Sequence, residues 1–320
     1  MIIILDNEAL LPGRRLSIIN KIKSGRNSKV YKVANNDNEY FCLKIYKEIC
    51  KADTRKRALT EFKFLKYLQD NEIQNTPKYI VGSTKERWSL LSWIPGVQPK
   101  VLKNKEIQDI AKFILKINKH KKGKGLDFYA SEALTSIDTL SNSINGRFRR
   151  ITQMQPHTKA EEEMKKWLET EFKTYADKKM NQLNSKAKEL HWKITEEELI
   201  HSQSDVGIHN SIKKEEELYF VDFEYAGIDD VSKVISDWVN HPEYRFNKEQ
   251  ETLLLESIKP IESKIGIKWK SRYYDIREII QIKWIMIMLN CFGDGRENEE
   301  YYEKVVEYFK KSRELTAQEV

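Results

Sequence analysis

The stretch Ser204-Asp205-Val206-Gly207-Ile208-His209-Asn210, followed by Val221-Asp222-Phe223-Glu224, constrains this chain more than any other feature. An aspartate, a nearby asparagine and a second aspartate beyond a strand-like run cooperate only if the chain doubles back between them. Asn210-Ser211-Ile212-Lys213, the polar turn Lys214-Glu215-Glu216-Glu217 and Leu218-Tyr219-Phe220-Val221 read as the hairpin that does this. The folded-back set offers one carboxylate, Asp205, able to receive or orient a hydroxyl proton. It also offers two hard oxygen ligands for Mg²⁺ on a phosphate chain, Asn210 and Asp222. Phosphoryl transfer asks a protein mainly for positioning and charge neutralisation, which such a set supplies. Glu224 follows Asp222 in what reads as an extended run and so faces the same way. It would reach a second Mg²⁺ through water, or simply hold the loop.

The chain carries 49 acidic residues, so an Asp and Asn at this spacing are cheap by themselves. Order along the chain is what adds weight. Residues 15–23, 29–33 and 40–46 are β-rich, broken by Ser24-Gly25-Arg26-Asn27-Ser28 and by Asn35-Asn36-Asp37-Asn38, and read as three antiparallel strands. The turn at Gly25, Asn27 and Ser28 is either an ordinary turn or one whose N–H groups approach a phosphate. Lys44 lies within an apolar strand. It is either an edge lysine that blunts pairing or a phosphate-binding lysine. A helix is expected over 53–70, capped by Asp53 or Thr54, with Leu59, Phe62, Phe64, Leu65 and Leu68 on its apolar face. Its Glu61 is either one of the many glutamates of surface helices or, paired with Lys44, the residue that orients that lysine towards a phosphate. Strands at 79–81 and 88–94 follow, and Pro95-Gly96 ends the sheet as a link to what comes next. The backbone near Leu91 and Trp93 would contact an adenine ring, or would be a plain strand end.

From residue 104 the pattern turns helical. Helices are expected at 107–117 (stopped by Gly123 and Gly125), near 131–150, at 159–190, at 231–239 behind Asp229 and Asp230, and near 247–265, 271–292 and 297–315. The cluster Arg147, Arg149, Arg150 would hold an anionic substrate or form a solvated face. The expected architecture is α+β. An N-terminal antiparallel sheet with one helix occupies 1–94 and binds nucleotide; a mainly helical part, 95–320, carries the catalytic loop and acceptor site.

Composition sets outer limits. With 40% apolar and 33% charged residues, the 320-residue chain is long enough for a real core and carries a charged surface. The formal net charge of +7 is spread out, which suits an anionic ligand such as a nucleotide and argues against nucleic acid. Cys42, Cys50 and Cys291 lack metal-ligand spacing and point to a reducing compartment. The apolar start runs into Asp6, and the apolar run 279–292 contains Lys283 and is too short to span a bilayer. A cytoplasmic protein with no membrane partner is expected.

The motifs together resemble those of the aminoglycoside phosphotransferase and choline kinase superfamily, the small-molecule relatives of protein kinases. The likeness runs in motif order over about 21–290. It is most specific at the Ser204 to Asn210 stretch and at Phe220-Val221-Asp222-Phe223-Glu224-Tyr225-Ala226-Gly227, with Ile94-Pro95-Gly96 resembling the segment after the hinge. Asp-Phe-Glu is similar to the choline-kinase form rather than the Asp-Phe-Gly of protein kinases.

The resemblance implies a bilobal protein-kinase-like fold using ATP and Mg²⁺. Asp205 would be the catalytic base, Asn210 and Asp222 the metal ligands, Lys44 the phosphate-binding lysine and Glu61 its partner; Asp237 would brace the catalytic loop. The chain departs from the family at Gln203, where a histidine is usual, with His201 near but out of register. His209 would contact substrate or be braced by the loop. Lys283 and Asn290, late in the helical part, would border an acceptor, with a snorkelling lysine the plainer reading of Lys283. The implied reaction moves the ATP γ-phosphate to a hydroxyl of a sugar-like or other small metabolite. An aminoglycoside or choline-type acceptor, a protein Ser/Thr kinase and a nucleotide-binding pseudokinase scaffold are the competing readings.

Overall fold

Short apolar strands build the N-terminal sheet: β1 (Ile3–Leu5), β2 (Glu8–Leu11), β3 (Arg14–Ser24), β4 (Ser28–Ala34), β5 (Tyr40–Tyr46), β6 (Tyr79–Ser83) and β7 (Trp88–Ser92). Their order is β1-β2-β3-β4-β5-β7-β6, antiparallel throughout. The computed structural model describes residues 3–5, 8–24, 27–47, 55–119, 126–190, 192–291 and 299–317. Gly25, Cys50, Asp53, Thr54, Gly123 and Gly125 therefore lie outside the described residues. β1 and β2 extend the sheet beyond the strands expected from sequence. Each is too short to display a clear alternation, and Gly13, at φ +71°, turns β2 into β3. Ala9 and Leu11 nevertheless join Leu16, Val33, Leu43 and Leu90 in the core on one face of the sheet. β5 pairs with β4 on one side and β7 on the other, so Lys44 sits on an inner strand and the edge-lysine reading falls.

The described residues form two compact units. The first comprises Met1–Ser131, His201–Ile228 and Glu256–Ile258; the second comprises Glu132–Ile200, Asp229–Leu255 and Lys259–Val320. In the first unit, helix α1 (Arg57–Asp70) buries Ala58, Phe64, Leu65 and Leu68. Helix α2 (Asn104–Ile117) is capped by Glu106, whose carboxylate accepts the Lys103 N–H at 2.9 Å. It buries Ile107, Ile110, Ala111 and Ile114 at the expected helical spacing.

The second unit is mainly helical: α3 (Ile137–Gln153), α4 (Lys159–Trp167), α5 (Lys173–Glu189), α6 (Val231–Val239), α7 (Lys248–Ile258, its last turn counted with the first unit), α8 (Glu262–Ile265), α9 (Lys268–Met288) and α10 (Glu299–Ala317). The single helix expected over 159–190 is interrupted by a π turn, Leu168–Phe172, between α4 and α5. The wider turn rephases the apolar stripe, letting Phe172 stack on Trp167 (5.1 Å) and meet Phe309 edge-on (5.4 Å). These rings join Leu140, Ile144, Met164, Ile276 and Ile280 in one core. Among the described residues, no helix is long and apolar enough to cross a membrane.

Candidate active site

Side-chain alternation along β5 sends Leu43 into the sheet core and turns Lys44 and Tyr46 differently. The Lys44 ammonium is buried and meets three carboxylates: Asp222 Oδ1 at 2.6 Å, Glu61 Oε2 at 2.9 Å and Glu224 Oε2 at 3.1 Å. A buried ammonium persists only with such partners. Burial lowers the Lys44 pKa, but Asp222, Glu61 and Glu224 outweigh it and hold the pKa well above the ordinary lysine value. Glu61 also accepts the Phe223 N–H (3.0 Å) on its other oxygen, and the Tyr46 hydroxyl donates to it. One glutamate of α1 thus ties the β5 lysine to the turn that carries Asp222.

That turn is not extended. Asp222 has φ +67°, in the left-handed region that side chains seldom adopt. The expectation that Asp222 and Glu224 share a facing by strand alternation is therefore corrected. The sharp turn instead buries Phe223 against Phe64 (5.2 Å, stacked) and brings Glu224 back to the same lysine. Burial raises the Glu224 pKa; Lys44 opposes the rise without cancelling it, and Asp222 and Glu61 add to it.

The strand β8 (Leu199–Ser202) leads into the loop carrying Asp205, and the hairpin of β9 (Ser211–Lys214) and β10 (Glu217–Phe220) closes it as expected. Ser204, at φ +69°, makes the bend; its N–H donates to Ser202 Oγ (2.9 Å) and its hydroxyl to the Ser131 carbonyl (3.1 Å). The Asn210 amide nitrogen donates to the Asp205 carbonyl (2.8 Å) and to Asp205 Oδ2 (3.1 Å). With the nitrogen committed, the amide oxygen is the atom left to act as a ligand.

The Gln203 amide donates to the Val221 carbonyl (2.6 Å), and the Val221 N–H donates to the Asn210 carbonyl (3.0 Å). Gln203 therefore fastens the Asp205 loop to the residue before Asp222. His201 is occupied elsewhere, its ring beside the Tyr67 hydroxyl at 2.9 Å and its backbone N–H donating to Asn118 Oδ1. His209 Nε2 lies 3.7 Å from Asp205 Oδ1. The side chains of Asp205 and Asp222 are 32% and 24% exposed, whereas those of Lys44, Glu61 and Glu224 are sealed. The cluster therefore opens to solvent at the two aspartates.

The other expected site residues are distributed as follows. Asn27 donates to the Tyr225 hydroxyl (2.6 Å), and buried Ser28 pairs across the sheet with Tyr46. Leu91 is buried opposite Cys42. Trp93 lies just past the end of β7, with the Lys32 ammonium 5.0 Å from its ring. Burial pushes the Cys42 thiol up to about 12, which keeps it protonated.

In the second unit, Lys283 is buried and pairs with Asp237; Lys233 bridges Asp237 (3.1 Å) and Asp229 (2.7 Å). Arg147 pairs with Glu132, and Arg150 donates to Asn290 Oδ1 (2.8 Å). Two residues of the Lys44 cluster went unnoticed in the sequence, Tyr46 and Arg57. Arg57 Nε lies 3.7 Å from Glu224 and donates to the Tyr225 hydroxyl at 3.3 Å. Both were discoverable by periodicity: Tyr46 is two residues beyond Lys44 on a strand, and Arg57 is one helical turn before Glu61.

No family model and no curated protein matches the chain. Solved structures do. Choline kinase from Cryptosporidium parvum Iowa II is similar at 14% identity and a TM-score of 0.62, over 95% of this chain and 90% of that one. A choline/ethanolamine kinase family protein from Mesorhizobium loti is similar at 13% identity and a TM-score of 0.59, over 94% and 87%. The ADP-bound aminoglycoside phosphotransferase APH(2'')-Ib is similar at 14% identity and a TM-score of 0.59, over 91% and 92%. The chain thus has the α+β, kinase-like fold of the choline kinase and aminoglycoside phosphotransferase structures. At these identities the likeness is one of fold.

Proposed function

We propose that this protein is a phosphotransferase that moves the γ-phosphoryl group of ATP to a hydroxyl group of a small molecule. The observation that carries the proposal is the Lys44 cluster: one buried ammonium shared by three carboxylates, open at Asp222, and joined through Gln203 and Asn210 to the Asp205 loop. In the reaction, the bond between the γ-phosphorus and the β,γ-bridging oxygen breaks as the acceptor oxygen forms its own bond to phosphorus. ADP leaves, and the hydroxyl proton passes to Asp205. Lys44 binds phosphate oxygens, and Glu61 keeps it in place. Asn210, Asp222 and, through water, Glu224 offer the hard oxygens that suit Mg²⁺, which would neutralise phosphate charge there. The segment of Leu91 and Trp93 would hold the adenine, with Gly25, Asn27 and Ser28 over the phosphates. The sheet part to residue 94 and the rest of the chain would act as the two lobes.

Kinases of choline, ethanolamine, aminoglycosides and amicoumacin share the fold, which supports a small hydroxyl compound as acceptor. Arg147 and Arg150 are engaged by Glu132 and Asn290, and Lys283 by Asp237, so none of the three argues for an anionic acceptor. Pooled sugars, amino alcohols and aminoglycosides, each incubated with ATP and Mg²⁺, test the proposal. ADP release with one pool, lost in Asp205→Ala, is expected. ATP that stabilises the fold but is never turned over with any pool would favour the nucleotide-binding scaffold instead.

A further inference from the structure

Tyr225 follows the Asp222-Phe223-Glu224 turn and has no part in the proposed reaction, yet residues from two other elements of the first unit meet at its side chain. The amide nitrogen of Asn27, the residue before β4, donates to the Tyr225 hydroxyl at 2.6 Å. Arg57 Nε, at the start of α1, donates to the same oxygen at 3.3 Å. The guanidinium groups of Arg55 and Arg57 lie 5.2 and 5.4 Å from the centre of the ring, within cation–π range. Burial raises the Tyr225 pKa and the Arg57 bond only partly offsets it, so the hydroxyl keeps its proton at pH 7 and accepts both bonds as a neutral group.

The backbone beneath this side chain is pinned. The Tyr225 carbonyl accepts the Ser131 N–H, and the Ile228 carbonyl accepts the Ala130 N–H, both at 2.9 Å. Gly227 permits so close an approach, because a Cβ there would lie 2.4 Å from the Ala130 nitrogen. Asn27 is held from two sides, by the Lys47 N–H on its carbonyl (2.7 Å) and by Tyr225 on its side chain. Arg57 in turn lies 3.7 Å from Glu224, and Glu224 lies 3.1 Å from Lys44. A continuous run of polar contacts thus joins Asn27, Tyr225, Arg57, Glu224 and Lys44.

We propose that Tyr225 is a positioning residue for the phosphate chain of the donor. Its hydroxyl holds Asn27 and the start of β4 in register with the Lys44 cluster, so that both engage one triphosphate together. Tyr225 itself touches no reacting atom. The inference rests on the nucleotide site of the proposed phosphotransferase, and it concerns the phosphates alone: Leu91 and Trp93, which would hold the base, are not among the residues that Tyr225 joins.

Calorimetric titration of the full chain with a non-hydrolysable ATP analogue plus Mg²⁺, and separately with adenosine, tests this on wild type, Tyr225→Phe, Asn27→Ala and the double variant. Tyr225→Phe keeps the ring beside the arginines and deletes only the hydroxyl. Analogue affinity is expected to fall about fivefold in each single variant, the scale of one lost hydrogen bond. It should fall no further in the double variant, because both substitutions remove the same bond. Adenosine affinity should stay at the wild-type value. Unchanged analogue affinity in Tyr225→Phe would overturn the proposal. Equal losses for analogue and adenosine, the mark of a merely structural role, would do so too, as would losses that add in the double variant. Absence of analogue binding by wild type would overturn this proposal and the phosphotransferase reading together. The expected pattern in a protein that turns over ATP with no acceptor would uphold the role of Tyr225 and count against the phosphotransferase reading alone.

Discussion

Two buried clusters of lysines and carboxylates, one in each unit, make an instructive pair. In the first unit Lys44 faces Glu61, Asp222 and Glu224, and the cluster opens at Asp222. In the second unit Lys233 and Lys283 face Asp229 and Asp237, and none of the four side chains is more than 6% exposed. The second cluster balances its charges and is closed. Burial raises the Asp237 pKa, but Lys233 and Lys283 overcome it and hold the carboxyl below its ordinary value. The first cluster has a surplus of carboxylate and keeps Glu224 above its ordinary value; in the second, burial likewise raises Asp229 against the pull of Lys233, so it is the charge balance and the opening that separate the two. A balanced, sealed network serves the fold. A surplus left open to solvent is what the proposed function needs for a cation and a ligand.

The sharpest break of the comparison is Lys233→Met. It leaves Asp229 and Asp237 short of a buried partner and is expected to cost about 3–5 kcal/mol of stability, read from denaturant unfolding. Asp205→Ala should do the reverse: turnover falls roughly a thousandfold while the unfolding midpoint stays put, because this carboxylate is partly exposed and, in the proposed reaction, would serve chemistry rather than packing.

Neutralising one carboxylate in each cluster should give opposite signs. Glu224→Gln removes a surplus charge, so the variant melts higher than wild type at pH 7. Because the folded Glu224 pKa is raised, the wild-type penalty is fully present only above that raised pKa. The gain should fade as pH falls through that raised pKa and vanish below the ordinary carboxylate value. Asp237→Asn should melt lower at pH 7. Because the folded Asp237 pKa is depressed, its contribution is present above the ordinary carboxylate value and disappears as pH falls through the depressed one. Melting curves of both variants from pH 7 to pH 3 would separate the clusters; equal shifts of one sign would erase the distinction. The smallest effect is expected from Gln203→Ala. It loses the bond to the Val221 carbonyl at a cost of about 1 kcal/mol, with a larger loss in kcat than in nucleotide affinity.

Local pattern carried much of this structure. β5, α1 and the β9–β10 hairpin were legible because alternation, helical spacing and a polar turn are written in neighbouring residues. Lys44 and Glu61 could be paired in advance because a lysine is odd in an apolar strand, and Glu61, ordinary by itself, lies on the helix that follows it. Other features depend on partners distant in sequence. β1 and β2 are too short to be recognised without β3, and the π turn exists to satisfy rings that include Phe309. Glu224 reaches Lys44 only because Asp222 adopts a left-handed conformation, which no run of residue types announces. The task of Gln203 became visible once Val221 was seen to accept its bond.

The central claim is that the open cluster binds nucleotide together with Mg²⁺. Titration calorimetry of a non-hydrolysable ATP analogue, with and without Mg²⁺, on wild type and Asp222→Asn tests it most directly. The account predicts tight binding only for wild type with Mg²⁺, and the same weak binding for the variant whether or not the metal is added. Equal affinity in all four titrations would contradict it.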